Sequence, residues 1–335
     1  MTRLRRAAAS ARQVGTCLVV MYHYVRDSAA TAFPDIRALS PALFERQLDW
    51  LQAEYTLIDL PRLEAALDGT AALPDNAVLL TFDDGFVDHY ETVLPVLAAR
   101  GRRGTFFLTE DACGASPRLL PVHTAQFLIA RLGVEAFGRA VLQACDAAGL
   151  SALAGREVLG IDRWDDEGAR AIKHLVSHQL PFDEAERILE QLFARHIGDS
   201  SAFARRLYLN EAMVREMAAA GMTFGHHTRT HRLLARLSAA EQQTELAAGV
   251  AWIRGLTGQA TVSFCYPWGG PRTYTRDTVR ILREAGYSAA FNTVRRRLSL
   301  VEDGRYELPR VDTRDLPPYT AAEPEPAPAF STEDA

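Results

Sequence analysis

The run Ala77–Phe82, AVLLTF, most restricts how this chain can fold. It is apolar on both alternating faces, so it has to be covered from both sides, as a central strand of a parallel sheet is. Gly85 ends it, a helical pattern follows from about Asp88 to Arg100, and a second buried run, Gly104–Leu108 (GTFFL), comes next. The three segments make a β-α-β unit, and the same alternation recurs along much of the chain, predicting an α/β fold.

Upstream, Ser40-Pro41 supplies an N-cap and a first-turn proline for a helix ending near Glu54, with Phe44, Leu48 and Leu51 on one face. The basic N-terminus followed by the apolar Cys17–Tyr22 imitates the start of a secretory signal. The apolar stretch is cut short by His23 and Asp27 and offers no small-residue cleavage site, so we expect a buried first strand and a cytoplasmic protein. No run approaches the ~18 apolar residues of a membrane span, so no transmembrane segment is expected, and peripheral membrane contact stays open.

From Glu110 to about Arg206 the short strands vanish and helical patterns such as Phe182–His196 replace them. The β/α rhythm then resumes with a helix near Asn210, the run Met222–Gly225, and a capping box, Ser238 and Glu241, opening a long helix to Leu256. Val262–Tyr266, Ala289–Asn292 and Glu307–Val311 are the remaining candidate strands, with a helix over Asp277–Ala285. The expected organisation is an N-terminal tail (1–16), a discontinuous barrel domain (17–110 and 207–316), a helical insertion (111–206) beside the barrel mouth, and a proline-rich acidic tail (317–335) that cannot bury a core. A net charge of -5 with no lysine block excludes a nucleic-acid footprint. Cys17, Cys113, Cys145 and Cys265 lie far apart with no CxxC pair, which predicts reduced, partly buried thiols.

Two segments carry chemistry. Thr81–Gly85, TFDDG, ends a buried strand with two carboxylates, a costly place for charge unless something uses it. Neighbouring strand residues face opposite ways, so Asp83 and Asp84 serve one site only where the chain is already turning, as Gly85 permits. One could bind a cation while the other accepts a proton; an isolated DDG is more often an Asx-turn closing a strand. In Gly225–His231, GHHTRTH, the i, i+4 spacing of His227 and His231 on a helical turn would bring both imidazoles to one side. Such a pair alone is ordinary surface decoration. Combined with the acidic strand end it gives a His-His-Asp ligand set with positions left open, as a catalytic metal requires.

TFDDG, HTRTH and the later FCYPWGG resemble the first three motifs of the NodB-homology polysaccharide deacetylases, carbohydrate esterase family 4. The resemblance implies a distorted (β/α)7 barrel, with Asp83 as general base and Asp84, His227 and His231 holding one divalent metal. Zinc is the expected ion for that set, though iron, cobalt, nickel or manganese could occupy it. Tyr266, Pro267 and Trp268 would shape a sugar-binding wall, and the Trp268 backbone N–H matches the family's oxyanion donor. The arginine that opens the third motif would fall at Cys265; Arg310 in LPRVDT is the candidate replacement, orienting Asp83 and holding it ionised. The usual final strand ending in histidine is absent, but VVMYHYV near the N-terminus resembles the permuted order of the poly-N-acetylglucosamine deacetylases, which makes His23 the general acid.

His226 is read as supporting the ligand pair, His89 as lying near the mouth, and His174 and His178 as a solvated helix face. The resemblance implies a hydrolase that removes the acyl group of an N-acylated amino sugar or glycan, with metal-activated water attacking the amide. Two other readings stay open: a deformylase or cyclic-amide hydrolase of the same mechanism, and a non-catalytic sugar-binding module on the same barrel.

Overall fold

The computed structural model describes residues 15–151, 167–270 and 272–320. Most of both expected tails, and part of the insertion, therefore lie outside the described residues.

Six strands run parallel side by side: β1 (Thr16–Tyr22), β3 (Ala77–Phe82), β4 (Thr105–Leu108), β5 (Thr223–His226), β6 (Ser263–Cys265) and β7 (Ala290–Phe291). The short β2 (Thr56–Ile58) joins β3, and β8 (Leu298–Ser299) pairs antiparallel with the start of β1. The sheet curls until its edges are bridged by one segment. Leu308 pairs with Phe291 of β7, and β9 (Val311–Asp312) runs parallel to β1 with Val311 opposite Val20.

Strand alternation sorts the core into two shells. Cys17, Val19, Leu79, Phe107, Cys265 and Phe291 fill the inside of the barrel, whereas Val20, Tyr22, Leu80, Phe82 and Phe106 face the surrounding helices. The outer shell includes an aromatic ladder across β1, β3 and β4, with Tyr22 4.9 Å from Phe82 and Phe82 4.8 Å from Phe106, each pair stacked. The parity matters for the site. Counting on in twos from Val19 and Leu79 reaches His23 and Asp83, so both leave their strands on the inner face, and the Tyr22–Phe82 register sets them at one level.

The helices follow their local signals. Ser40 caps Pro41–Glu54 by accepting from Leu43 N–H, and helix Phe182–His196 has the bounds its periodicity predicts. The expected helix from Ser238 to Leu256 is two: its capping box forms, but Ala239–Leu246 and Gly249–Thr257 meet at a break. Gly249 packs so closely on His226 and the Tyr287 hydroxyl that a Cβ there would overlap both. Gly249→Ala should therefore destabilise the fold by about 1–3 kcal/mol; an unchanged midpoint in thermal unfolding would show that the helices can part without cost.

Among the described residues the segment after β4 contains helices and no strand, with helices Pro121–Leu132, Val134–Ala147, Glu167–His174, Phe182–His196 and Ser200–Leu207. All four cysteines are free and buried, further from solvent than expected. No helix among the described residues is long and apolar enough to cross a membrane.

Candidate active site

Asp83 and Asp84 do serve one site, and the backbone shows how. Asp84 (φ 73°) and Gly85 (φ 66°) are both left-handed, which swings the Asp84 carboxylate round from the outer face to join that of Asp83. Gly85 also has no room for a side chain, because a Cβ would strike the Cys113 sulfur. Thr228, His231 and Trp268 are left-handed too, with φ of 64°, 61° and 68°. Each such residue costs of order 1–3 kcal/mol, and three of them, Asp84, His231 and Trp268, border one cavity, the clustering expected of a functional centre.

Arg310, which is 1% exposed, reaches into the barrel top from just before β9. Its Nη1 donates to Asp83 Oδ1 at 2.8 Å and its Nη2 to Asp83 Oδ2 at 2.7 Å, a two-pronged pair. The remaining donors go to the Asn292 carbonyl (3.1 Å), Thr81 Oγ1 (3.1 Å) and Cys265 Sγ (2.9 Å). Burial alone would raise the Asp83 pKa, but the Arg310 guanidinium outweighs it and holds the carboxyl below its ordinary value. Cys265, which stands where the motif arginine was expected, packs its sulfur against the Arg310 guanidinium. His23, on the adjacent strand, has its Nε2 4.0 Å from Asp83 Oδ2 and a side chain 41% exposed to the cavity.

Asp84, His227 and His231 converge: each imidazole Nε2 lies 3.5 Å from Asp84 Oδ1, and the three ligand atoms are all within 4.8 Å of one another. The segment holding the histidines is not the expected helical turn. It is a loop bent by the left-handed Thr228 and His231, held by Glu245, which accepts from Thr230 N–H (2.9 Å) and Oγ1 (2.7 Å). The i, i+4 spacing succeeds through a turn that no local propensity specifies. Burial pushes the His231 pKa down to about 3, keeping the ring uncharged.

These atoms fit a divalent cation. His227 Nδ1–H donates to the Cys265 carbonyl at 2.7 Å, which leaves Nε2 as the nitrogen turned towards Asp84 Oδ1. Asp84 Oδ1 has no hydrogen-bond partner among the described residues, although Asp84 is 4% exposed. A buried carboxylate oxygen facing two imidazole nitrogens, with no donor to satisfy it, is the arrangement a cation completes. Asp83, His227 and Cys265 also lie close together, but both Asp83 oxygens and the Cys265 sulfur are already engaged by Arg310, so that grouping does not suit one.

The centre opens into a cavity of about 920 Å³. Trp268 lines it, with its carbonyl fixed by Thr293 Oγ1 at 3.0 Å. The other expected wall residues contribute less. Tyr266 also borders the cavity, but it is 1% exposed, stacks on Tyr274 at 3.8 Å and gives its hydroxyl proton to the Tyr306 carbonyl. Pro267 is buried and is not among the lining residues.

Three histidine readings need correction. His89 is fully buried behind His23, with its Nε2 3.0 Å from the His23 carbonyl. His226 falls on the outer strand face, where its Nδ1 pairs with the Tyr287 hydroxyl at 2.5 Å, away from the ligand set. His174 and His178 are no solvated face: His174 is 4% exposed, the rings stack at 4.8 Å, and His178 meets Trp268 edge-on at 5.3 Å. A further residue carried no motif to flag it. His123, in the segment read as an insertion, lies 3.1 Å through Nε2 from Asp84 Oδ2.

The sequence profile described as polysaccharide deacetylase matches residues 70–130 and 162–290, more than half of the chain. The chain belongs to the polysaccharide deacetylase family. His23 and Arg310 lie outside the matched stretches. This polysaccharide deacetylase relative is 33% identical over 84 residues to the poly-beta-1,6-N-acetyl-D-glucosamine N-deacetylase of Escherichia coli K12. The match covers 24% of this chain and spans only 12% of that relative's length. The fold is shared with the Streptococcus pyogenes deacetylase PplD, solved in complex with acetate (TM-score 0.54, 18% identity, covering 89% of this chain and 92% of that one). It is shared as well with IcaB from Ammonifex degensii (TM-score 0.52, 20% identity, covering 90% and 93%).

Proposed function

We propose that this polysaccharide deacetylase family member is a metal-dependent hydrolase that removes the N-acyl group of an amino sugar, in a free glycan or a glycan precursor. One observation carries the reading: the bare Asp84 Oδ1 faces His227 Nε2 and His231 Nε2, beside a carboxylate that Arg310 keeps charged.

Amide hydrolysis needs an activated water, a stabilised oxyanion and a protonated leaving amine. A divalent cation held by Asp84, His227 and His231 would polarise the acyl carbonyl and make water more acidic. The protein's own groups do the rest. Asp83, ionised and fixed by two parallel bonds, takes the proton of the attacking water. Trp268 presents its backbone N–H to the developing oxyanion. His23 delivers the proton that lets the amine depart; its Nε2 stands 4.0 Å from Asp83 on the exposed side of the centre. The E. coli relative named for the same class of bond supports the choice of an N-acetylated amino sugar.

The test is metal analysis of purified protein beside an Asp84→Ala, His227→Ala double variant, with acetate release from N-acetylglucosamine oligomers followed in the same samples. The wild type should hold about one divalent ion per chain, and the variant should lose ion and acetate release together. Ion-free wild-type protein that still binds the oligomers after metal supplementation would establish a sugar-binding module instead.

A further inference from the structure

Resting on the metal-dependent reading above, we propose that His123 is a positioning residue for the metal ligand Asp84, occupying one carboxylate oxygen so that the other is offered alone. It sits on helix Pro121–Leu132 and is 1% exposed. Its two ring nitrogens are both engaged, Nε2 with Asp84 Oδ2 at 3.1 Å and Nδ1 with the Tyr208 hydroxyl at 2.6 Å.

The proton directions follow from the partners. The Leu120 backbone N–H donates to the Tyr208 oxygen at 3.1 Å, so the phenol gives its own proton to His123 Nδ1. Nε2 then carries the ring's proton and donates it to the Asp84 carboxylate, which only accepts. Three donors thus point one way, from backbone amide to phenol to imidazole to carboxylate. The ring is also clamped, with the Phe86 and Tyr208 rings 4.8 Å and 5.6 Å away. The outcome is the asymmetry already described: Oδ2 is bonded, whereas Oδ1 has no partner and faces the two ligand histidines.

The chain that supplies this device closes on the carboxylate from both ends. Leu120 and His123 stand near its beginning. At its end, the Val87 N–H donates to the Leu207 carbonyl and the Leu209 N–H to the Gly85 carbonyl, both at 2.8 Å, pinning Tyr208 against the turn that holds Asp84. The inserted helices are therefore part of the metal centre's construction as well as a wall of its cavity. An outer partner of this kind orients a ligand and tunes its basicity, and its loss typically weakens metal binding 10–100-fold.

The experiment is zinc affinity, measured by competition with a chromophoric chelator, for wild type, His123→Leu, His123→Gln and Tyr208→Phe, with Asp84→Ala as the reference for full loss. Electronic spectra of the cobalt-loaded proteins report ligand geometry independently of activity. His123→Leu should weaken zinc about 10–100-fold and shift the cobalt bands as Asp84 swings. His123→Gln, whose side-chain amide can still donate to Oδ2, should recover most of both. Tyr208→Phe, which frees the ring to adopt the other tautomer, should weaken zinc several-fold and carries the test if His123→Leu does not fold. Wild-type affinity in folded His123→Leu and Tyr208→Phe would overturn the proposal and leave the metal reading intact. Loss in both His123 variants as complete as in Asp84→Ala would make His123 a ligand and also overturn it. A wild type that binds neither zinc nor cobalt would sink the metal reading and this inference together.

Discussion

Asp83→Asn is expected to lower kcat by about 10²–10⁴-fold while leaving KM and metal content close to wild type. The amide keeps the shape of the carboxylate and an oxygen for Arg310, but it cannot take a proton from water. The proposed ion ligands are untouched, because Asp83 contributes no oxygen to the set formed by Asp84, His227 and His231. Some loss of thermal stability should accompany the change, since a buried guanidinium loses its counter-charge. Steady-state kinetics at a temperature where unfolding shows the variant fully native, together with metal analysis, separates these effects. A kcat within a few-fold of wild type would remove Asp83 as the base, and loss of the ion would mean that it helps to hold the metal.

Arg310→Met should be the most damaging change to the fold and should alter its pH response as well. Removing one partner of a buried pair strands the other, at a cost of about 3–5 kcal/mol; here the stranded group is an Asp83 carboxyl 2% exposed. In the wild type the folded-state pKa of Asp83 lies below its ordinary 3.8. The pair therefore contributes stability above that value and loses it as pH falls through the folded-state pKa. In the variant burial loses its strongest opponent, leaving only the weaker pull of His227 and His23, and the Asp83 pKa should rise above its ordinary value. The sign then reverses: the variant is most penalised at neutral pH and recovers part of its deficit as pH falls and Asp83 protonates. The acid limb of kcat/KM should move to higher pH for the same reason. Arg310→Lys keeps the charge but not the fork and should fall between the two. Thermal unfolding from pH 3 to 8, read beside a pH-activity profile, checks both effects; parallel stability curves for variant and wild type would show that Arg310 does not set the charge of Asp83.

Much of the fold was legible because local signals agreed with the tertiary structure. AVLLTF and GTFFL are buried strands, Ser40-Pro41 starts its helix, and the Ser238 capping box forms. Arg310 could be nominated because the family resemblance implies an arginine partner for Asp83, Cys265 stands in that arginine's usual place, and LPRVDT lies at the last candidate strand. The failures share a cause. Whether His227–His231 forms a helical turn or a loop depends on Glu245 gripping Thr230 from a distant helix, and the sequence around the histidines cannot report that grip. His174 and His178 have the spacing of an exposed face, yet Trp268 arrives from another strand end to cover them. His123 offered no pattern at all. A lone histidine in an amphipathic helix becomes informative only when the opposite end of that segment, at Tyr208, is seen folding back to it.

The segment that bridges the sheet edges also imposes an order in time. Val20 and Val311 are partners, so the barrel closes by joining the two ends of the described chain, the costliest kind of contact to form. As the chain is synthesised, the strands leading to His23 and Asp83 emerge well before Arg310. Until that segment docks, Asp83 lacks the guanidinium that fixes both of its oxygens. A growing chain should thus lack an oriented Asp83 even with Asp84, His227 and His231 already made, and during refolding hydrolysis should return after the secondary structure has been restored.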